Sequence, residues 1–219
     1  MKNDFTKKNI GFYFLDIISP WAYLFHKEIE NKPLNIQLEV YPVLFAGLLK
    51  YFGHKGPAEI EKKRIATFEL CVWKANEMNI PFLMPKVHPF NPIKYLRLII
   101  AGGCKFEIIS IVFDYIWATG NDLNDPNAIT DLIKNNNLEI NIEDLENQNI
   151  KDKLKLNTSN ASEIGIFGVP TIMYNDHLFW GLDSAPLLRA KISEDPIFNS
   201  FSMKQVHLYQ DGLKLKKPL

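Results

Sequence analysis

The order of apolar and polar residues at the start of the chain predicts a strand, a helix and a second strand. Residues 10–18 form a short run of aromatic and β-branched side chains after a polar leader, which is typical of a buried strand. Ser19 suits the N-cap of a helix, and Pro20 suits its first position, where no backbone N–H is needed. The helix is expected to end at Asn31, and the alternation over residues 36–41 predicts the second strand. Together these elements form a βαβ unit with parallel strands.

The middle of the chain has the spacing of amphipathic helices instead. Apolar residues recur every three or four positions, as at Ile65, Phe68, Val72 and Ala75. Glycine, proline and asparagine separate the apolar stretches and predict where each helix ends. Helices are expected over residues 57–79, 92–101, 105–118, 125–135, 142–148 and 150–163.

The strand pattern returns after Gly165. Two short strands joined by a turn, and then a final amphipathic helix, are expected over residues 171–174, 177–180 and 183–192. In the tail, residues 206–209 and 213–216 are compatible with a small hairpin.

A βαβ unit, a helical block and a ββα unit follow the plan of the thioredoxin fold with helices inserted between its halves. The sequence therefore predicts an α/β protein with a thioredoxin-like fold and an inserted helical domain. The thioredoxin-like domain is expected to be discontinuous, over residues 8–55 and 164–194, and the helical domain to span residues 56–163. Residues 195–219 are a C-terminal tail outside both domains.

Composition and charge narrow the function classes. Hydrophobic residues make up 47% and charged residues 23% of the 219 residues, as in an ordinary globular protein. Lys plus Arg and Asp plus Glu are each 25, so the zero net charge argues against a broad surface for nucleic acid or anionic membranes. No apolar stretch approaches ~20 residues, so no membrane span is expected. Asp16 interrupts the N-terminal apolar run and no cleavage site follows, so we expect a mature, soluble, cytoplasmic protein.

The start of the first helix is the position of the redox motif in thioredoxin-like folds. Cys71 and Cys104 are the only cysteines and lie 33 positions apart, so there is no CxxC motif, zinc spacing or disulfide framework. Ser19 and Ala22 stand where the two motif cysteines would, which excludes thiol–disulfide exchange by the chain's own residues there. Ser19 is either a plain helix cap or a hydroxyl donor that stabilises a bound ligand's thiolate together with free backbone N–H groups.

Two further clusters are candidates for ligand binding. The Val169-Pro170 bond is a candidate cis peptide, after which Val169 would pair its backbone with a peptide-like ligand; an ordinary turn proline is the alternative. Asp183 and Ser184 open the last helix, and they are either caps or partners for the ammonium and carboxylate of a ligand. The histidines lack metal spacing, so no metal site is expected.

Four stretches of the sequence together resemble the 2-hydroxychromene-2-carboxylate isomerase family, which belongs with the kappa-class glutathione transferases and the DsbA-like proteins. They are residues 12–24, 42–64, 88–98 and 165–188, so the resemblance covers most of residues 10–192. It implies a glutathione-dependent enzyme of aromatic catabolism that acts on a small aromatic or electrophilic substrate and forms a homodimer. In the family's reaction the glutathione thiolate adds to a ring carbon of a chromene carboxylate, the ring opens, a bond rotates and glutathione leaves.

The resemblance also implies roles for particular residues. The serine of the family's Ser-Pro motif contacts the glutathione sulfur, which makes Ser19 the implied catalytic residue, with Pro20 and Trp21 lining the site. His54 stands where kappa-class transferases have an asparagine. The residues implied to bind glutathione are Ser19, Trp21, His54, Val169, Pro170, Asp183 and Ser184.

Other polar residues have an implied role and a plainer alternative. Lys50 and Asn91 resemble polar positions on the substrate side; the alternatives are a solvated lysine and a helix cap before Pro92. Arg64 and its charged neighbours fit a solvated helix face, from which one cation could meet a glutathione carboxylate. Cys71 lies on an apolar helical face and fits the core.

Three functions stay open at this point. The first is a glutathione-dependent isomerase. The second is a kappa-like glutathione transferase or peroxidase, which uses the same thiolate on another electrophile. The third is a catalytically silent thioredoxin-like binding module.

Overall fold

The apolar run near the N-terminus forms the central strand of a mixed sheet. In the computed structural model, which describes residues 5–206 and residue 208, this strand, β1, is Ile10–Leu15. The other strands are β2 (Gln37–Pro42), β3 (Thr171–Tyr174) and β4 (His177–Trp180), in the sheet order β2-β1-β3-β4. β1 pairs parallel with β2 and antiparallel with β3, and β3 pairs antiparallel with β4. The four predicted strands are confirmed.

Helices occupy most of the chain between and after these strands. In chain order, α1 to α9 are Pro20–Asn31, Phe45–Phe52, Glu61–Glu77, Ile93–Ala101, Phe106–Phe113, Ala128–Asn135, Gln148–Glu163, Ala185–Ile192 and Phe201–Val206. Because α2 to α7 lie between β2 and β3, the predicted thioredoxin-like fold with a helical insertion is confirmed. The boundaries of its two domains stay a prediction. None of the helices in the described part of the chain has the length and apolar character needed to cross a membrane.

β1 is apolar at every position because helices pack on both faces of the sheet. Tyr13 and Leu15 belong to a large core cluster that includes residues of α1, α4 and α5. Phe12 and Phe14 point to the opposite face, where they belong to a second cluster with Leu48 of α2 and side chains from α7 and β2. All four β1 side chains are buried. Burial on both faces gives a continuous apolar run where a half-exposed strand would alternate.

β1 ends at Leu15, three residues earlier than the sequence predicts. Asp16 stops the strand because its Oδ1 accepts the N–H of Ile18 at 3.1 Å, and its main-chain oxygen accepts the N–H of Ser19 at 3.2 Å. These bonds turn the chain sharply. Pro20 can therefore begin α1 directly beyond the edge of the sheet.

No helix is predicted from the sequence at the position of α2, Phe45–Phe52, although the structure has one there. Its N-cap, Leu44, has no side chain that can cap, and Gly47 interrupts the helical pattern. The glycine is needed where α2 approaches α7, since a Cβ at position 47 would lie 2.8 Å from Cγ2 of Thr158. Thr158 also supplies the missing cap, because its Oγ1 accepts the N–H of Leu44 at 2.9 Å. The cap therefore lies 114 residues away in sequence.

Several predicted helices differ in type or extent. The stretch predicted over residues 57–79 divides into a 3-10 turn at Pro57–Glu59 and α3, and residues 114–118 are π-helical. The helix predicted over residues 142–148 is a 3-10 helix, Ile142–Glu146. In the tail, Val206 ends α9, so a strand beginning there is wrong. The rest of the predicted hairpin, apart from Leu208, lies outside the described residues.

Replacing Trp117 with phenylalanine is expected to lower the free energy of unfolding by about 2–3 kcal/mol. Trp117 is fully buried, and its Nε1–H donates to the carbonyl of Ile17 at 2.9 Å, which ties the helical insertion to the end of β1. Phenylalanine cannot donate and fills less volume. Urea unfolding measures the change, with Trp73→Phe as the matched control because Trp73 is 57% exposed. If both variants lose the same free energy of unfolding, the hydrogen bond between Trp117 and Ile17 does not give the expected stabilisation.

Candidate functional site

Ser19 caps the first helix with its side chain, and its hydroxyl hydrogen has no acceptor among the described residues. Its Oγ accepts the N–H of Ala22 at 3.2 Å, and its backbone is extended, with φ −90° and ψ 117°. An oxygen that accepts this bond can still donate its own O–H to a ligand. The first turn of α1 contains no acidic residue, so the positive end of the helix is not neutralised within the helix. The arrangement suits an anion beside Ser19.

A buried carboxylate lies three residues before Ser19. Asp16 is fully buried, and its Oδ2 accepts the N–H of Phe45 at 2.8 Å while Oδ1 accepts that of Ile18. Burial raises the pKa of Asp16 to about 7, against the lowering effect of these backbone hydrogen bonds. Because Phe45 begins α2, Asp16 joins the turn before Ser19 to the start of that helix. No site role is predicted for Asp16 from the sequence, although a charged residue inside an apolar run is a signal for one.

A cavity of about 330 Å³ opens beside Ser19. Its apolar walls come from the start of α1, from α2 and α3, and from the segment over residues 88–92. Ser19 and Trp21, both predicted site residues, line it. The polar and charged residues on its wall are Asp16, Ser19, Glu59, Arg64, Thr67 and His88. The cavity can therefore hold an apolar molecule against the Ser19 hydroxyl.

His88 fixes one wall of this cavity and was not among the predicted site residues. Its Nε2–H donates to the carbonyl of Ile18 at 2.9 Å, and its ring packs edge-on against Phe68 with centroids 5.0 Å apart. Nδ1 is buried without a hydrogen-bond partner among the described residues. Burial lowers the pKa of His88, the hydrogen bond to Ile18 opposes this, and the Arg64 charge adds to the lowering. His88 is therefore a neutral ring that holds the backbone next to Ser19.

The predicted cis peptide and the end of the sheet lie at the same edge as Ser19. The Val169-Pro170 bond is cis, as expected; a second cis bond joins His88 and Pro89. β3 begins where β1 ends, since Thr171 pairs with Phe14. Neither the N–H nor the carbonyl of Val169 forms a main-chain hydrogen bond with another described residue. These groups are available to a ligand with a peptide backbone.

Asp183 and Ser184 follow β4 at that same edge, because Trp180 pairs with Thr171. They lie in a 3-10 turn before α8, and Asp183 is exposed. The hydroxyl of Ser184 donates to the carbonyl of Gly181 at 2.7 Å, so its oxygen is left as an acceptor for a ligand. Neither residue lines the cavity, and neither do Val169 and Pro170.

Three further predicted site residues are also absent from the cavity wall. Lys50 and His54 are exposed at the end of α2 and just after it. Asn91 is exposed, and its Oδ1 accepts the N–H of Ile93 at 3.1 Å, which is the capping role considered as its alternative. Contact of these residues with a substrate or with glutathione stays a prediction.

Neither cysteine is placed to act as a nucleophile. Cys71 is fully buried in α3, as predicted, and burial raises the pKa of its thiol to about 12. Burial also raises the pKa of Cys104, to about 11, with Lys153 opposing the shift. The described residues contain no group of three or more potential metal ligands. A reactive sulfur at Ser19 therefore has to come from a bound molecule.

The chain is similar in sequence to a known protein family and to two named proteins. A family model described as DSBA-like thioredoxin domain matches residues 10–193. The chain is 24% identical over 191 residues to a protein named 2-hydroxychromene-2-carboxylate isomerase from Sphingobium xenophagum, covering 84% of this chain and 97% of that protein. It is 22% identical over 202 residues to glutathione S-transferase kappa 1 from Homo sapiens, covering 83% of this chain and 89% of that protein.

The fold of this chain is also similar to that of a solved structure. The structure described as SeMet 2-hydroxychromene-2-carboxylate isomerase superposes with a TM-score of 0.73 and 16% sequence identity. The match covers 92% of this chain and 100% of that one. At this identity the likeness establishes the fold, and the chemistry has to be argued from the residues of this chain.

Proposed function

This chain belongs to the family of DsbA-like thioredoxin domains, and from that premise we propose that it is a glutathione-dependent isomerase of the 2-hydroxychromene-2-carboxylate type. One observation carries the proposal. Ser19 stands at the start of α1, at the position of the family's redox cysteine, with a hydroxyl hydrogen free to donate into a cavity. The names of the two relatives support enzymatic activity on a small molecule.

The residues around Ser19 fit glutathione at three points. The N–H and carbonyl of Val169, which form no main-chain hydrogen bond with another described residue, suit the peptide-like middle of the tripeptide. The exposed carboxylate of Asp183 and the acceptor oxygen of Ser184 suit the ammonium of its γ-glutamyl end. The hydroxyl of Ser19 and the N-terminus of α1 suit a thiolate. These three points lie at one edge of the sheet, which supports a single extended ligand.

Ser19 is the catalytic residue in this proposal. When bound, glutathione supplies a thiol that is nucleophilic as its thiolate and that can add reversibly to an electrophilic ring carbon. The Ser19 hydroxyl donates a hydrogen bond to the ionised sulfur and so lowers the pKa of the thiol. Trp21 and the apolar walls keep water away from the reacting atoms and strengthen that hydrogen bond. His88 keeps the backbone before Ser19 in position.

The proposal also covers the cellular location, the metabolic role and the oligomeric state of the enzyme. Following the resemblance in sequence, we assign it to the cytoplasm, to aromatic catabolism and to a homodimer. A kappa-like transferase or peroxidase is the second candidate, which the similarity to the human kappa-class enzyme supports. Both candidates use the same thiolate, and they differ in whether glutathione is recovered or remains bound to the product.

Ultraviolet titration of glutathione in the presence of the protein tests the proposal. We expect thiolate absorbance to appear well below pH about 8.5, the ordinary pKa of a cysteine thiol. S-methylglutathione, which has no ionisable thiol, is the control ligand. Mass spectrometry after addition of 2-hydroxychromene-2-carboxylate then distinguishes an isomer with recovered glutathione from a conjugate. Absence of any thiolate signal would contradict both enzymatic candidates and favour a silent binding module.

A further inference from the structure

Arg64 places a positive charge on the wall of the cavity that holds Ser19. It is the fourth residue of α3, and Thr67 and Phe68, three and four positions later, line the same cavity. Residues with this spacing share one face of a helix. Arg64 is half-buried, whereas the neighbouring Lys62 and Lys63 are exposed. The helix therefore presents one of these three cations to the cavity and the other two to solvent.

Most donors of the Arg64 guanidinium have no partner in the described part of the chain. It has five N–H donors, and its single hydrogen bond within the described residues is a long one, from Nη1 to the carbonyl of Ala58 at 3.4 Å. No carboxylate among the described residues lies within ion-pair distance of it. A planar, forked donor of this kind matches the two oxygens of a carboxylate.

The acidic residues on the cavity wall are already engaged elsewhere. Asp16 accepts main-chain N–H groups at both oxygens, from Ile18 and Phe45. Glu59 accepts the N–H of Gly56. Neither carboxylate lies within ion-pair distance of the Arg64 guanidinium, so its N–H donors remain available to an anion in the cavity. The influence of Arg64 on the pKa of His88, on the same wall, agrees with a charge that acts within this space.

We infer that Arg64 determines substrate specificity by binding a carboxylate carried by the apolar second reactant. The inference rests on the proposed function, in which glutathione lies along Val169, Asp183 and Ser184. None of those three residues lines the cavity; Ser19 and Trp21 of the proposed glutathione site do, where the thiolate would lie, and the rest of the cavity is left for the other reactant. The matching ligand has an apolar body against the aromatic and aliphatic walls and a carboxylate at Arg64. The glycyl carboxylate of glutathione has the same chemistry, and the experiment has to separate the two sources.

Calorimetry with two isosteric probes tests the inference. The probes are 2-naphthoate and its neutral carboxamide, 2-naphthamide. We expect the Arg64→Gln variant to bind 2-naphthoate about tenfold to a hundredfold more weakly than the original chain, with binding of 2-naphthamide unchanged. Arg64→Lys is expected to be intermediate, because lysine keeps the charge and loses the fork. Lys62→Gln is the matched control; it removes the same charge from the solvent face of α3 and should leave both probes unaffected.

A second arm compares glutathione with its glycine carboxamide. Weaker binding of glutathione but not of the amide by Arg64→Gln would assign the guanidinium to the tripeptide and overturn the inference. Equal weakening of both naphthyl probes, or no binding of 2-naphthoate by the original chain, would also overturn it. The thiolate titration reports separately on the proposed function. If the chain binds 2-naphthoate through Arg64 but gives no thiolate signal with glutathione, the carboxylate site is supported and the proposed isomerase function is contradicted.

Discussion

The Ser19→Ala variant is expected to lose about a hundredfold in turnover, the loss typical of removing one hydrogen-bond donor from a developing or full anion. The hydroxyl of Ser19 can donate because its oxygen is the acceptor for the N–H of Ala22. Without it, only the N-terminus of α1 stabilises the glutathione thiolate, and the pKa of the bound thiol should return towards about 8.5. The rate at neutral pH should therefore fall, and part of the loss should be recovered as the pH is raised. Turnover and thiolate absorbance, measured across the same pH range, check both expectations.

Threonine at position 19 is the control for this substitution. Ser19→Ala also removes a helix cap, which costs about 1 kcal/mol of stability, so a loss of activity alone does not identify the hydrogen bond. Ser19→Thr keeps both the cap and the donor, and we expect it to retain thiolate formation. If alanine keeps the full rate with an unchanged pH profile, the hydroxyl does not activate the thiol. If alanine and threonine lose activity equally while both bind glutathione, the fit of the side chain matters and its donor does not.

Local sequence patterns predict the strands of this fold better than its helices. The run over residues 10–15 reads as a buried strand because helices cover both of its faces, and that burial leaves only apolar positions. α2 is absent from the prediction because Leu44 carries no cap and because Gly47 resembles a helix breaker. Both features have long-range causes, since Thr158 of α7 caps the helix and also crowds the glycine. A local sequence pattern cannot predict a contact with a residue more than a hundred positions away.

Local patterns and long-range contacts also differ in what they predict of the site. The residues that mark a local position are predicted from the sequence, and those that depend on long-range packing are not. Ser19 and Pro170 were predicted because each sits at a fixed place in the thioredoxin plan, at a helix start and before a strand. Arg64 and His88 are not predicted as cavity residues, because they reach the cavity only where the fold brings α3 and the segment over residues 88–92 beside the start of α1. Asn91 resembles a polar site residue in sequence, and its Oδ1 accepts the N–H of Ile93 at the start of α4; its contact with a substrate stays a prediction.

The carboxyl group of Asp16 is expected to make the stability of this protein fall as the pH rises from 4 to 8. Burial raises its folded pKa to about 7 from an ordinary value of 3.8, so between these values the folded state holds a proton that the unfolded state has released. Its contribution is most favourable below the unfolded pKa and is lost as the pH rises through the folded pKa. The difference corresponds to about 4 kcal/mol across the whole interval, from about 1.4 kcal/mol for each pH unit.

The Asp16→Asn variant isolates this effect, since an amide does not titrate. The variant is expected to be less stable than the original chain at pH 4, because an amide nitrogen cannot accept the N–H of Phe45 or Ile18 as a carboxyl oxygen does. Its deficit should shrink or reverse by pH 8, where the original chain carries a buried negative charge. Urea unfolding at a series of pH values measures the difference, with Asp152→Asn on the exposed surface of α7 as the control. If the difference in free energy of unfolding between Asp16→Asn and the original chain is the same at every pH, the Asp16 carboxyl does not titrate near neutrality.

An ionised Asp16, three residues from Ser19, would also oppose the glutathione thiolate by charge repulsion. The thiol of glutathione bound to Asp16→Asn should therefore ionise at a lower pH than in the original chain.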